Sequence, residues 1–380
     1  MKYTHLLLNQ LAIEIKYAAF SSSGGNTEYH FMMNVTDPML SFRQQLENTE
    51  EAWRYIRSEV LSTNASLVWC RYFLSDPVNQ CEYVNFPENC AVSVVGQAPL
   101  NNSKLAVWLY CIDNVDIKQE NGYVTASHSS YEHLFYTQLY HSPDKREYEQ
   151  TQGIFSVLKE LFQKERMTFF DNLIRTWIYV QGVDTHYKEM VVARRELFAE
   201  ENLTEKTHYV ASTGIEGRFI YPQVLVFMDA YAIKGIQSKQ VKYLRALENL
   251  SPTNKYGVTF ERGTEVQFGD RSHVFISGTA SIDKDGEIVA PHDVLSQTKR
   301  TFENIKTLLK EAHSDFGDLA HLIIYLRDTA DYPVVKQYVE TYLPDVPKVF
   351  LSAPVCRPGW LIEMECIAVK ENQNTDYPIF

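Results

Sequence analysis

The sequence predicts an α+β fold built three times over in one chain. One order of elements recurs: an apolar strand, an amphipathic helix with Gln in its opening turn, a second strand, a second helix and paired closing strands. A chain of 380 residues with 45% hydrophobic and 13% aromatic content can also bury several cores. Each unit reads as a mixed sheet covered on one face by two helices. The uncovered faces then need burial, and packing three units around an axis supplies it, so the chain is a pseudo-trimer in a single polypeptide.

The first unit, residues 1–113, is the most divergent. Its strand runs over 29–35, Gln44 and Gln45 open a helix, and 67–74 and 105–112 read as later strands. The second unit, residues 120–235, has its strand at 132–140 and Gln150 and Gln152 at the helix start. Phe155, Leu158, Leu161 and Phe162 form an apolar stripe at helical spacing. A strand over 172–180, a helix from Tyr187 to Phe198 and a closing strand over 225–233 follow. The third unit, residues 255–372, is the clearest: a strand from His273, a Gln297 helix striped by Phe302, Ile305, Leu308 and Leu309, a strand over 322–326, a helix from Tyr332 and a closing strand over 361–369. Polar and Gly-containing stretches at 113–122 and 234–263 read as linkers.

Composition removes several function classes. A net charge of −12 opposes general affinity for nucleic-acid phosphates or anionic membrane surfaces. The N-terminus has too short an apolar run for a signal peptide and no stretch reaches the length of a membrane span, so a cytoplasmic protein is expected. The six cysteines form no CxxC pair and the histidines no HExxH pattern, so neither a metal nor a disulfide framework is expected. No phosphate-binding Gly-rich loop and no GxSxG elbow occur, so the expected site works without a cofactor.

Aligning the closing strands on Val107, Val226 and Ile362 puts Trp108, Phe227 and Glu363 at one position. If three equivalent clefts form between units, only one then holds a potential acid. A carboxyl in an apolar cleft is pushed towards the protonated form by desolvation, and Trp360, Leu361 and Ile362 surround Glu363 in sequence.

Residues 277–282, the Gln297 helix with Asn304 and Ile305, and the closing strand over 362–369 resemble the RidA/YjgF family over roughly 260–370. Its members are small homotrimers with ligand clefts between subunits. In its enamine/imine deaminases an Arg before the closing hairpin grips a carboxylate; this sequence has Lys348 there, or Val349 if the preceding Pro is aligned. The whole chain is similar to the chorismatase family, which resembles a RidA trimer fused into one polypeptide and splits pyruvate from chorismate. Residues 70–80, 174–179, Tyr187 with Arg194 and Arg195, 211–215, 277–282 and Cys356 with Glu363 carry that likeness. One departure is the 283–287 run, where that family tends to have Gly-His.

The resemblance implies chorismate as a small dicarboxylate substrate, Glu363 as general acid and Cys356 as a residue of the 3-hydroxybenzoate-forming branch. Cations must hold the two carboxylates, and Arg suits them through its planar fork. The candidates are Arg175, Arg195 and Arg218, with Lys348 as a point charge. Arg175 lies in an apolar strand and needs an anionic partner. Of the adjacent pair Arg194 and Arg195 only one can enter a cleft, and Arg195 is expected to do so. Tyr179, Tyr187, Ser212, Thr213, Gly278 and Thr279 are expected to line the cleft with hydroxyls and backbone donors. The alternatives are a RidA-like enamine deaminase, which Lys348 disfavours, and a non-catalytic carboxylate-binding protein. RidA-like chains also carry the label endoribonuclease L-PSP, to which the acidic balance gives no support. The expected assembly is a monomer acting as an internal trimer.

Overall fold

A computed structural model describes residues 1–380, apart from the side chains of Asn254 and Tyr256. The first unit contains β1 (Lys2–Leu8), β2 (Ile13–Phe20), β3 (Glu28–Val35), α1 (Phe42–Tyr55), β4 (Ala65–Leu74), β5 (Ala91–Gly96), β6 (Ala98–Pro99) and β7 (Leu105–Asp113). The second contains β8 (Asp116–Glu120), β9 (Tyr123–His128), β10 (Tyr131–Leu139), α2 (Glu147–Lys164), β11 (Leu173–Val180), α3 (Val183–Glu200), β12 (Ala211–Glu216) and β13 (Val226–Lys234). The third contains β14 (Val241–Leu244), β15 (Gly263–Gln267), β16 (Arg271–Ala280), α4 (Val294–Glu311), β17 (Leu319–Leu326), α5 (Tyr332–Tyr342), β18 (Lys348–Ser352) and β19 (Ile362–Glu371).

The three sheets share one topology: β2-β3-β7-β4-β5, β9-β10-β13-β11-β12 and β15-β16-β19-β17-β18. In each the last pair is parallel and the rest antiparallel, so every sheet is mixed as expected. Two expectations need correction. In the first unit a four-residue turn, Pro77–Gln80, replaces the second helix. The stretches read as linkers carry β8 and β14, which extend the second and third sheets. In addition β6 leaves the first unit to pair with β18, stitching the first unit to the third.

The repeated Gln has a physical purpose. Gln45, Gln150 and Gln297 each sit in the first turn of a helix, and each side-chain oxygen accepts the backbone N–H just ahead of a closing strand, from Lys104, Leu225 and Leu361. Each satisfies a strand-entry amide that would otherwise be orphaned, and thereby fixes helix against sheet. These clips also set the register, because the residue two places beyond each clipped amide is Ala106, Phe227 or Glu363. A bulge at the same place in β4, β11 and β17 agrees: Phe73 pairs with Ala106, Tyr179 with Phe227 and Tyr325 with Glu363. The equivalent of Glu363 in the first unit is therefore Ala106, not Trp108, and Trp108 matches Asp229 and Glu365.

The uncovered sheet faces meet in one core. Trp69 packs edge-on against Trp108 and Trp177 with ring centroids 5.1 and 5.0 Å apart. Charges buried here are paired across units, as desolvation demands. Arg71 of the first unit meets Asp229 of the second at 3.1 Å, and Arg175 of the second meets Glu365 of the third at 2.6 Å. No helix among the described residues is long and apolar enough to cross a membrane.

Candidate active site

A cleft of about 350 Å³ opens between the second and third units. One wall is α3, whose helical period brings Tyr187, Val191 and Arg194 to the same face. The other comprises β16, the segment before β19 and β19 itself, contributing Gly278, Ala280, Cys356, Arg357, Trp360 and Glu363. Ser212 and Gly214 of β12 form the back, and Val258, Phe260 and Arg262 flank it.

Two glycines make the space. A Cβ on Gly278 would collide with Oε1 of Glu363, so the carboxyl lies directly over that bare backbone. A Cβ on Gly214 would press on the Tyr187 ring at 2.9 Å. Register shows why this interface stays open: Gly214 pairs with Ile178, and the corresponding places in β5 and β18 hold Val94 and Phe350.

Glu363 is 5% exposed. Burial, reinforced by the charge of Glu365, pushes its carboxyl up to about 8, while Arg175 and Arg262 pull the other way. At neutral pH it therefore keeps its proton. Burial and then the charge of Glu363 push the Cys356 thiol up to about 12, against a hydrogen bond with Tyr187. Cys356 is thus a thiol that shapes the wall, with none of the thiolate character of a nucleophile.

On the opposite wall of the cleft from Glu363 stands Arg194. It is buried, its Nη1 donates to Ser212 Oγ at 3.3 Å, and its Nε and Nη2 have no hydrogen-bond partner among the described residues. Buried guanidinium N–H groups without acceptors are costly, and a carboxylate would satisfy both.

Several expected ligands stand elsewhere. Arg195 lines the cleft only at its exposed mouth, since a one-residue step turns it about a quarter-turn out of the face that Arg194 occupies. Arg175 is spent on Glu365 and on Thr213, and neither it nor Thr213 lines the cleft. Thr213 lies behind the floor, donating to Glu365 while accepting the N–H of Gly278 at 2.9 Å. Tyr179 is buried at the axis, stacked on Phe227 at 4.7 Å. Arg218 is exposed at the boundary between the first and second units, donating to Ser75 O at 2.7 Å. Thr279 points away and bonds Ser277 O at 2.8 Å. Lys348 occupies the strand position of Ser212 but in the third unit, so it faces the other interface, where it and Lys16 each meet Glu340 at 3.2 Å. Tyr187, Ser212, Gly278, Cys356 and Glu363 are brought together in the cleft as expected. Sequence reasoning preferred Arg195 to Arg194 and missed Arg262, Phe260 and Glu365; the seven-residue step from Tyr187 to Arg194, two helical turns, is the signal that selects Arg194.

The third unit is matched by the Endoribonuclease L-PSP family over residues 265–370. A RutC family protein of Pyrococcus abyssi is 33% identical over 100 residues, covering 26% of this chain and 79% of the relative. The chain belongs to the RutC family. The 3-aminoacrylate deaminase RutC of Acinetobacter baylyi is 31% identical over 97 residues, 25% of this chain and 77% of that one. Both matches span about one unit of this RutC-family chain, consistent with one repeat being a whole small protein. At the level of the full fold, a crystal structure of chorismatase is similar with a TM-score of 0.64 and 18% identity, covering 82% of this chain and 95% of that one. The RidA/YjgF-like units are thus arranged as in chorismatase, three in one polypeptide.

Proposed function

We propose that this chain cleaves chorismate to pyruvate and a hydroxybenzoate, 3-hydroxybenzoate, by general acid catalysis at Glu363. The observation that carries the reading is a buried carboxyl held protonated near neutrality, in one cleft with a buried guanidinium whose Nε and Nη2 have no hydrogen-bond partner among the described residues. An enol-ether dicarboxylate asks for that pair: a proton for the enol carbon and a cation for a carboxylate. The cleft, at about 350 Å³, is of a size suited to a small molecule.

In this reading Arg194 and Ser212 hold one carboxylate, and Arg195 lies at the mouth. Glu363 delivers its proton to the methylene carbon of the enolpyruvyl group, leaving an oxocarbenium carbon that takes the oxygen of water. The resulting hemiketal collapses to pyruvate and a ring alcohol, and a proton returns to Glu363. Loss of the second ring hydroxyl as water gives 3-hydroxybenzoate, so the water added is the water lost and the sum is chorismate to pyruvate plus 3-hydroxybenzoate. The neutral Cys356 thiol lies at the cleft wall, where it can steer that last elimination by excluding water from the ring. The overall fold shared with chorismatase supports the reading.

A second reading, hydrolysis of a reactive enamine, is favoured by the identity to 3-aminoacrylate deaminase in the third unit. It needs the same acid and the same carboxylate grip. Incubation of the purified chain with chorismate, with pyruvate followed through a coupled dehydrogenase and the ring product identified by chromatography, tests the first reading. Pyruvate and 3-hydroxybenzoate that vanish in Glu363→Gln are expected; ammonia from an enamine substrate with no pyruvate from chorismate would overturn it in favour of the second.

A further inference from the structure

Glu363 is surrounded by groups that favour its ionised form. Arg194 faces it from α3, Arg262 from the start of β15, Arg357 from the segment before β19, and Arg175 from β11 behind the floor. The neutral neighbours are Tyr187 on α3, Cys356 and, in register across the sheet, Tyr325 of β17. Two of these cations, Arg175 and Arg262, pull its proton away. Burial opposes them, and so does a like charge two residues further along β19 on the same face, Glu365.

Glu365 is not a cleft residue. It sits behind the floor inside a cage drawn from two units: Arg175 at 2.6 Å, Trp177 Nε1 at 3.0 Å and the Thr213 hydroxyl from the second, and the Tyr325 hydroxyl at 3.0 Å from the third. Arg71 of the first unit approaches at 4.0 Å. Four donors aimed at one carboxylate fix its place. The Thr213 hydroxyl also takes the N–H of Gly278, the glycine over which the Glu363 carboxyl lies, so the cage and the acid share one floor.

We propose that Glu365 is the positioning residue of Glu363: its caged charge holds the proton on the neighbouring carboxyl, and because the cage is drawn from two units with Arg71 of the first beside it, the fused assembly itself keeps the acid armed. The inference rests on the reading of Glu363 as a proton donor, and goes beyond it by naming what sustains the donor. The corresponding carboxylate of the second unit, Asp229, is held in the same fashion by Arg71 and Ser93 of the first, yet it stands two residues from Phe227 and has no acid to sustain. The architectural ion pair is thus repeated, and only in the third unit does it lie beside a catalytic carboxyl.

Two strand steps space the two residues about 7 Å apart along the backbone, and one charge at about that distance in an effective dielectric of about 20 is worth about one to two pH units. The test is the titration of Glu363 itself, read without substrate as the protonated-carboxyl infrared band that Glu363→Gln removes. In Glu365→Gln the midpoint of that band is expected to fall by about one to two units, with the alkaline limb of the turnover profile moving equally. Since Glu365→Gln leaves Arg175 unpaired, the double variant Glu365→Gln/Arg175→Met, which removes both charges, keeps the question open to refutation; its midpoint is expected to fall by less, because the like charge of Glu365 outweighs the opposing cation. An unmoved midpoint in either folded variant overturns the proposal. A shifted midpoint in a protein that leaves chorismate intact would retain the proposal and sink the substrate reading instead.

Discussion

Glu363→Gln should make the protein more stable at neutral and alkaline pH while silencing it. The carboxyl is 5% exposed and titrates near 8 in the fold against an ordinary value of 4.5. Between those values the folded chain holds a proton that the unfolded chain has released, so the native state binds more protons and stability falls as pH rises, by about 1.4 kcal/mol per unit. The loss from this one group reaches about 3 kcal/mol at pH 7 and about 5 kcal/mol at pH 9, where both states are ionised and the fold carries the full cost. Gln keeps the shape and cannot ionise, so the cost disappears. Urea unfolding of wild type and Glu363→Gln, followed by the fluorescence of the buried tryptophans at pH 5, 7 and 9, reads the difference. The advantage of the variant is expected to grow by about 4 kcal/mol from pH 5 to pH 9. A difference that stays constant with pH would refute the raised titration, and with it the argument that Glu363 carries a proton at neutrality. The same titration sets the activity profile: turnover persists on the acid side and is lost as pH rises through about 8.

Gly278→Ala places a Cβ against Oε1 of Glu363 and must displace the carboxyl; a fall in turnover of about 100-fold with an unchanged circular dichroism spectrum is expected, and wild-type turnover would show that the carboxyl's seat over Gly278 is dispensable. Lys348→Met removes a buried ammonium that faces a different interface, where Lys16 remains to pair with Glu340; the KM for chorismate is expected to stay within about twofold and stability within about 1–2 kcal/mol, whereas a tenfold rise in KM would return Lys348 to the substrate.

The repeat was legible because strands and amphipathic helices announce themselves by period, and the repeated Gln marked each helix start. What that Gln does was hidden, since its partner is a backbone amide some 60 to 75 residues further along the chain. Local strand likeness suggested Trp108 as the partner of Glu363; the bulge and the clip put it two residues away, at Ala106. A shift of two preserves the face, so pattern alone cannot detect it. The acid was legible as a carboxylate where the second unit has Phe227. The cations were harder, because any Arg in an apolar strand looks like a ligand until its partner is seen. Arg175 turned out to belong to Glu365, and Lys348 occupied a plausible strand position in the wrong unit. Arg194 was recoverable from helical phase alone.

The differences among the three interfaces explain what fusion makes possible. A homotrimer repeats every substitution three times, so a residue that opens one cleft opens all, and a buried acid imposes its cost of several kcal/mol at three places. In this chain the position of Gly214 is taken by Val94 and Phe350 at the other interfaces, and that of Glu363 by Ala106 and Phe227. At those two positions the other interfaces hold apolar side chains instead. The paired charges at the axis, Arg71 with Asp229 and Arg175 with Glu365, recur where they join successive units, while Trp108 replaces the third carboxylate. The cost of a buried, protonated carboxyl is thereby confined to one of the three interfaces.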